Sequence, residues 1–181
     1  RAKTVGMELR VDISDRVPPM VATDGRRVQQ ILYNLLGNAT KYGKAGKYVD
    51  FTVHVVDSDS QEEGSMIKFH VKDYGNGIEA KDLEHIFQPF QQASTNEPTD
   101  GGTGLGLAIA HQLCRVLNGS ISVTSQPGLF CEFVVSLPCR PTNVVSTEID
   151  SRLLKFRNKT CCEATNAIIS TEQPSQESNS I

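Results

Sequence analysis

QQILYNLLGNATKY, residues Gln29–Tyr42, carries two patterns at once. At about 100° per residue, Val28, Ile31, Leu32, Leu35 and Leu36 form one apolar stripe of a helix, while Gln30, Asn34, Asn38 and Lys41 gather on roughly the opposite face. The stripe predicts a helix packed on a core. Asn has mediocre helix propensity and buries no apolar surface, so two Asn and a Lys along one edge are a poor structural choice. They suit chemistry: an Asn carbonyl oxygen for a hard cation such as Mg²⁺, a Lys ammonium for a phosphate. The same residues would also serve as the solvated face of a surface helix, and this segment alone does not choose.

Upstream, Leu9, Val11 and Ile13 alternate with Glu8, Arg10 and Asp12 across Met7 to Ile13, the period of a strand with one face buried. Pro18 and Pro19 interrupt the chain, Met20 to Ala22 is a short apolar run, and Thr23-Asp24 offers capping chemistry, so the helix is expected from Asp24 to Tyr42, stopped by Gly43 and Gly46. Asp50 to Val56 and Met66 to Lys72 alternate again around the polar segment DSDSQEEG, predicting a hairpin. His54 and His70 fall inside these strands and are read as strand residues without a catalytic role.

The next segment, DYGNGI at Asp73 to Ile78, sits at a strand end. A Gly-x-Gly lets backbone approach a ligand closely, and a strand-end Asp can accept a hydrogen bond from an amine such as that of adenine. A tight turn with an Asx bond explains the same residues. Ala80 to Phe90 predicts a short helix ended by Pro89, with Leu83, Ile86, Phe87 and Phe90 as its apolar side and both Phe in the core. QQASTNEPTDGG is aperiodic, Pro- and Gly-containing, and reads as a lid-like loop.

That loop runs into GGTGLGLAIAHQLCRVLNG, where Gly101, Gly102, Gly104 and Gly106 lead into a helix with Leu105, Ile109, Leu113, Val116 and Leu117 as its apolar stripe and Asn118-Gly119 as its stop. A glycine-rich turn at a helix start is a phosphate cradle, because free N–H groups and the positive end of the helix dipole face the anion. The Rossmann pattern fails, since Leu107 stands where Gly or Ala is needed, and there is no Walker string ending Gly-Lys-Ser/Thr. His111 and Arg115 read as solvated. Ser120 to Ser125 and Phe130 to Leu137 predict two more strands around a Gln126-Pro127-Gly128 turn.

The chain has 181 residues and a formal net charge of −3. That length suits one domain, residues 1–138, followed by a polar linker or tail, residues 139–181. The charge argues against nucleic acid, and the lack of a dense Lys/Arg run or a long apolar stretch argues against direct membrane contact. Cys114, Cys131, Cys139, Cys161 and Cys162 are odd in number and lack C-x-x-C spacing, so reduced, cytoplasmic thiols are expected.

In this order, NLLGNATKY, DYGNGI, IFQPF and GGTGLGL resemble the N box, first glycine box, F box and second glycine box of the catalytic ATP-binding domain of sensor histidine kinases, in the superfamily that includes gyrase, the heat-shock chaperone of the 90-kilodalton class and mismatch-repair ATPases. The resemblance covers about residues 2–138. It implies a two-layer α/β sandwich, a mixed sheet packed on three main helices with an ATP lid, and ATP and Mg²⁺ as cofactors. On it, Asn34 would bind Mg²⁺ and act with Lys41 in catalysis, and Asn38 and Lys41 would contact phosphates. Tyr42, Asp73, Gly75, Gly77 and Ile78 would form the adenine pocket, with Phe87 and Phe90 beside the nucleotide. Gly102, Thr103, Gly104, Leu105 and Gly106 would wrap the phosphates.

The motif style is most like hybrid kinases, and the implied partners are an upstream helical dimerisation and phosphoacceptor domain and a response-regulator receiver. Three departures stand out. The lid, Gln91 to Thr103, has no basic residue and contains Glu97 and Asp100. The usual Gly-x-Gly-Thr/Ser before the last strand is Gly128-Leu129-Phe130-Cys131. No helical phosphoacceptor His is present, since His54, His70, His85 and His111 all lie inside the domain. Three activities therefore stand side by side: phosphoryl transfer from Mg-ATP to a separate His, a clamp-type ATPase, or a degenerate nucleotide-binding signalling module. Against the ATPase, the position one turn before Asn34 is Gln30, a neutral amide that cannot deprotonate water.

Overall fold

The computed structural model describes residues 7–43, 47–57, 64–91 and 103–141. Among these described residues five strands and three helices follow in the order β1 (Glu8–Ile13), α1 (Gly25–Tyr42), β2 (Tyr48–Val56), β3 (Met66–Asp73), α2 (Ala80–Leu83), α3 (Gly106–Val116), β4 (Ser120–Gln126) and β5 (Phe130–Pro138). The sheet order is β1-β2-β3-β5-β4. β1 runs parallel to β2 at one edge, and every other neighbouring pair is antiparallel, which gives the expected mixed sheet.

One sheet face is apolar because the strands alternate. Val49 and Val53 of β2, Ile67 and Val71 of β3, and Cys131, Phe133, Val135 and Leu137 of β5 are buried on it. Against them lie Ile31, Leu35 and Ala39 of α1 with Ala110 and Cys114 of α3, forming one two-layer core. Burial of a side chain the size of Ile31 or Leu35 is worth about 1.5–3 kcal/mol, so this stripe dominates the docking of α1. Asp24 caps α1 by accepting from the Arg26 and Arg27 N–H groups at 3.1 and 3.2 Å. A bridge between Val21 and Pro141 ties the segment before α1 to the chain after β5.

Several expectations change. The helix expected over 80–90 is a single turn, after which Ile86 alone is buried and Phe90 takes a left-handed φ of 65°. The chain leaves the helix at Glu84, well before Pro89, and continues in turns, and Phe90, expected in the core, is 76% exposed. Phe87 is half-buried, edge-on to Phe133 at a ring separation of 6.4 Å. The stripe of α3 also differs: Ala108, Ala110 and Cys114 are its buried residues, while Ile109 and Val116 are exposed. Small side chains let this helix lie close to both α1 and the sheet, so its large residues sit at the rims. His111, read as solvated, is half-buried with its ring 5.3 Å from Phe87.

His54 and His70 stack at 4.8 Å on the other sheet face, where His70 pairs with Glu132 at 3.0 Å. Residues 58–63 of the acidic loop, 92–102 of the lid and 142–181 of the tail lie outside the described residues, as does Gly102.

The packing generates a test with an internal control. A Cβ at Gly119 would collide with the Ser136 carbonyl oxygen of the neighbouring strand, whereas a Cβ at Gly37, inside α1, meets nothing within 4 Å. Urea denaturation should therefore show Gly119→Ala destabilised by about 1–3 kcal/mol and Gly37→Ala stabilised by about 0.5–1 kcal/mol through helix propensity. Two shifts of the same sign would contradict this account of the packing.

Candidate nucleotide-binding site

The C-terminal half of α1, the C-terminal end of β3 and the N-terminal end of α3 converge on one cleft of about 220 Å³. Asn38, Lys41 and Tyr42 enter from α1, Asp73, Gly77 and Ile78 from β3 and the turn after it, and Thr103, Gly104 and Gly106 from the start of α3. Three separated motifs thus meet around a single space, and each arrives for a local reason.

Asp73 occupies the inward-facing last position of β3 and is 4% exposed. One carboxylate oxygen accepts the Gly75 N–H at 3.0 Å. Burial pushes the carboxyl up to about 6 despite that bond, which pulls the other way. A buried carboxylate is costly unless partnered, so Asp73 at the cleft wall is suited to a donor from a ligand. Gly75 is not in the cleft lining. Its backbone packs under the Tyr42 carbonyl, where a Cβ would collide, and this contact locks the turn to the end of α1. Gly77 has a φ of 65° and lies against Gln126, so it also leaves no room for a side chain.

Gly104, with a φ of 68°, accepts from the Phe90 N–H at 3.0 Å, and a Cβ there would lie 2.8 Å from the Phe90 backbone. This contact fixes the Phe90 backbone while its ring points away, so neither Phe87 nor Phe90 lines the cleft. Leu105 holds the cap position of α3 with no side-chain cap bond, and Gly106 begins the helix. α1 is capped by Asp24, whereas α3 presents an uncapped, positively polarised end to the cleft.

Asn34 lies one turn back from Asn38, beside that end: a Cβ on Gly106 would lie 3.6 Å from Asn34 Oδ1. Its Nδ2 is buried without a hydrogen-bond partner. Asn34 and Asn38 are both half-buried and lie on the flank of α1 toward α3, not opposite the apolar stripe. On a helix Asn34 falls only about 100° from the centre of Ile31, Leu35 and Ala39, which puts it at the interhelical seam. Lys41 is exposed, with Nζ 4.9 Å from the Tyr42 ring centroid. Among the described residues no group of three or more His, Cys, Asp or Glu could hold a metal ion. A site for Mg²⁺ would instead use the Asn34 Oδ1 carbonyl oxygen, beside the start of α3, together with oxygens of a ligand, while the orphaned Nδ2 is a donor suited to an acceptor such as a phosphate oxygen.

Sequence reasoning missed Asn76, Ile86, Gln91, Leu107, Cys131 and Phe133, which also line the cleft. Cys131 and Phe133 were legible in part, because strand alternation places them on the same face as Asp73, and Cys131 is its register partner. Burial, reinforced by the Asp73 carboxylate, pushes the Cys131 thiol up to about 12, so it stands in the cleft as a neutral S–H.

Comparison with known proteins agrees with this geometry. Residues 23–141 match the family model described as histidine kinase-, DNA gyrase B-, and HSP90-like ATPase. Hybrid signal transduction histidine kinase B of Dictyostelium discoideum is 37% identical over 142 residues, which is 78% of this chain and 7% of that protein. Sensor histidine kinase RcsC of Escherichia coli strain K12 is 39% identical over 127 residues, 70% of this chain and 12% of that protein. The chain therefore spans only a small part of the length of these relatives. The crystal structure of full-length ShkA in complex with AMPPNP superposes with a TM-score of 0.63 at 32% identity, covering 78% of this chain and 27% of that one. On the family match across most of its described residues, the chain belongs to the histidine kinase-, DNA gyrase B- and HSP90-like ATPases, and its relatives there are sensor histidine kinases.

Proposed function

We propose that this chain binds Mg-ATP in the cleft and supplies its γ-phosphoryl to a histidine on a separate helical dimerisation and phosphoacceptor domain, from which a response-regulator receiver takes it. The observation that carries the reading is the buried Asp73 carboxylate at one wall of a cleft whose other wall is an uncapped helix end with a Lys beside it. An adenine amine would donate to Asp73, Tyr42 and Ile78 would flank the base, and Asn38, Lys41 and the α3 N–H groups would hold the phosphates. Asn34 would be the protein ligand of Mg²⁺, which when bound neutralises phosphate charge.

Transfer then needs little from the protein beyond positioning and electrostatics. The imidazole nitrogen of the acceptor forms the P–N bond as the bond from the γ-phosphorus to the ADP oxygen breaks, and Lys41 offsets charge on the departing phosphate chain. Gln30 is exposed one turn before Asn34. Its amide cannot take a proton from water, which disfavours the clamp ATPase. No helix among the described residues is long and apolar enough to cross a membrane. A cytoplasmic setting is part of the proposal, as is the parent hybrid kinase.

Asp73 sets opposite pH dependences for folding and binding. Its folded value of about 6 exceeds the ordinary 3.8, so the stability it contributes is present below about pH 4 and is lost as pH rises through 6. An amine donor favours the ionised form, so ATP affinity measured by calorimetry should fall about tenfold from pH 7 to pH 5. Asp73→Asn should flatten that profile and weaken binding on the order of ten- to a hundredfold at pH 7. An unchanged profile in the variant would remove Asp73 from the base site.

Asn34→Ala should abolish the Mg²⁺ dependence of nucleotide affinity while leaving adenosine binding nearly intact, because base and phosphates are held by different elements. A Mg²⁺ titration identical to wild type would put the metal elsewhere.

The third expectation separates kinase from ATPase. Alone, the chain should bind ATP, hydrolyse it very slowly and stay unlabelled by radioactive γ-phosphate. A helical domain carrying the acceptor His, added in trans, should acquire acid-labile label, and Gln30→Glu should raise hydrolysis. Brisk turnover by the unmodified chain would favour the ATPase.

A further inference from the structure

The first glycine turn, Asp73 to Ile78, is not held by its own strand alone. The β4–β5 hairpin grips it at three points: the Gly128 N–H donates to the Asn76 carbonyl at 2.7 Å, the Gly77 backbone packs on Gln126, and the Ile78 N–H donates to Ser125 Oγ at 2.8 Å. The third of these is a side-chain contact, and its hydroxyl is held on two sides. A serine hydroxyl has one proton and two lone pairs. Here the proton goes to the Phe130 carbonyl at 2.9 Å and one lone pair accepts from Ile78, with Cys131 next to Phe130 and beside the same side chain. The hydroxyl therefore has no free rotor.

Those partners surround the base end of the cleft. Ile78 and Cys131 line it, and Cys131 is the register partner of Asp73 on the adjacent strand. The Ser125 side chain thus spans the opening between the turn that follows Asp73 and the strand beside Asp73, while not itself lining the cleft. The degenerate Gly128-Leu129-Phe130-Cys131 segment still supplies this grip, through a glycine with a φ of 75° and a carbonyl at Phe130.

We propose that Ser125 is a positioning residue for base recognition: by joining Ile78 to Phe130 and Cys131 it sets the separation between the glycine turn and the Asp73 carboxylate, and so the discrimination of a 6-amino from a 6-oxo purine. The inference rests on the nucleotide-binding reading above and deepens it. Loosening the clamp lets Ile78 and the turn drift from Asp73, so the amine contact weakens, whereas the phosphate contacts on α1 and α3 are untouched. A purely structural role would behave differently, because a lower folded fraction weakens every nucleotide by the same factor.

The test measures the affinities of ATP and inosine triphosphate for the wild type, Ser125→Ala and Ser125→Thr by calorimetry. In Ser125→Ala the ATP affinity should fall about tenfold with inosine triphosphate little changed, so the ratio of the two falls about tenfold, and Ser125→Thr, which keeps the hydroxyl, should restore it. An ATP to inosine triphosphate ratio in Ser125→Ala equal to that of wild type overturns the proposal. Should the alanine variant not fold, Ser125→Cys, of similar shape but a weak hydrogen-bond partner, is read in the same way: a lowered ratio supports the clamp and an unchanged one refutes it. The wild-type titration keeps the two claims apart, since absence of ATP binding there defeats the nucleotide reading itself, whereas wild-type binding with an unmoved ratio defeats only the role of Ser125.

Discussion

The rotation of α1 about its own axis is the constraint on which the cleft depends. Ile31 and Leu35 have no exposed surface, and Ala39, a turn further on, is 2% exposed, so three successive turns are pinned to the sheet. With the axis pinned, every other side chain of the helix points in a set direction. Asn34 and Asn38 follow Ile31 and Leu35 by three positions each, which turns both toward α3 and the glycine start of that helix. A twist of α1 that exposed Leu35 would cost its burial and would also carry both amides out of the seam. Core packing and site geometry are therefore one requirement here, and a buried Leu does as much to aim Asn38 as any hydrogen bond.

The other walls of the cleft are set by close backbone approach. Gly75 under the Tyr42 carbonyl couples the end of α1 to the end of β3, Gly77 couples the turn to β4, and Gly104 couples the start of α3 to Phe90. At each of these a Cβ would stand within 3 Å of backbone atoms, and at Gly77 and Gly104 the positive φ adds strain for any side chain. The glycines thus let three elements that are far apart in sequence converge at van der Waals distance. Leu105, which follows Gly104, needs no such freedom and takes an ordinary right-handed conformation.

Much of this was legible in the residues. Alternation over Asp50 to Val56 and Met66 to Lys72 gave two strands that do pair antiparallel, and the stop at Gly43 and the cap at Asp24 bounded α1 correctly. What failed, failed for tertiary reasons. The period of α3 points to Ile109 and Val116 as core, but a helix wedged between another helix and a sheet buries its smallest residues, Ala108, Ala110 and Cys114, and leaves larger ones at the rim. The run over 80–90 has the apolar spacing of a helix, yet after Leu83 it continues in turns bonded His85 to Asp82 and Gln88 to His85, and its far end is held by the bond from Phe90 to Gly104. The cleft residues on β5, Cys131 and Phe133, were legible only in part: alternation gives their face, but their place beside Asp73 follows from the register of β3 with β5, which no local pattern encodes.

That register also makes the two ends of the cleft differ in rigidity. The end at Asp73 is built from the interior of an antiparallel pair, Asp73 beside Cys131, where hydrogen bonds run on both sides of each strand and displacement of one residue would break a ladder. The other end is built from the C-terminal half of α1, the uncapped start of α3 and the exposed Lys41 ammonium, whose position can shift by rotamer changes. The sheet therefore supplies the fixed wall and the helix ends the more adaptable one. Only α1 reaches both ends of the cleft, with Tyr42 against the turn after Asp73 and Asn34 beside Gly106, so the buried stripe that fixes this helix also holds the two ends in one register.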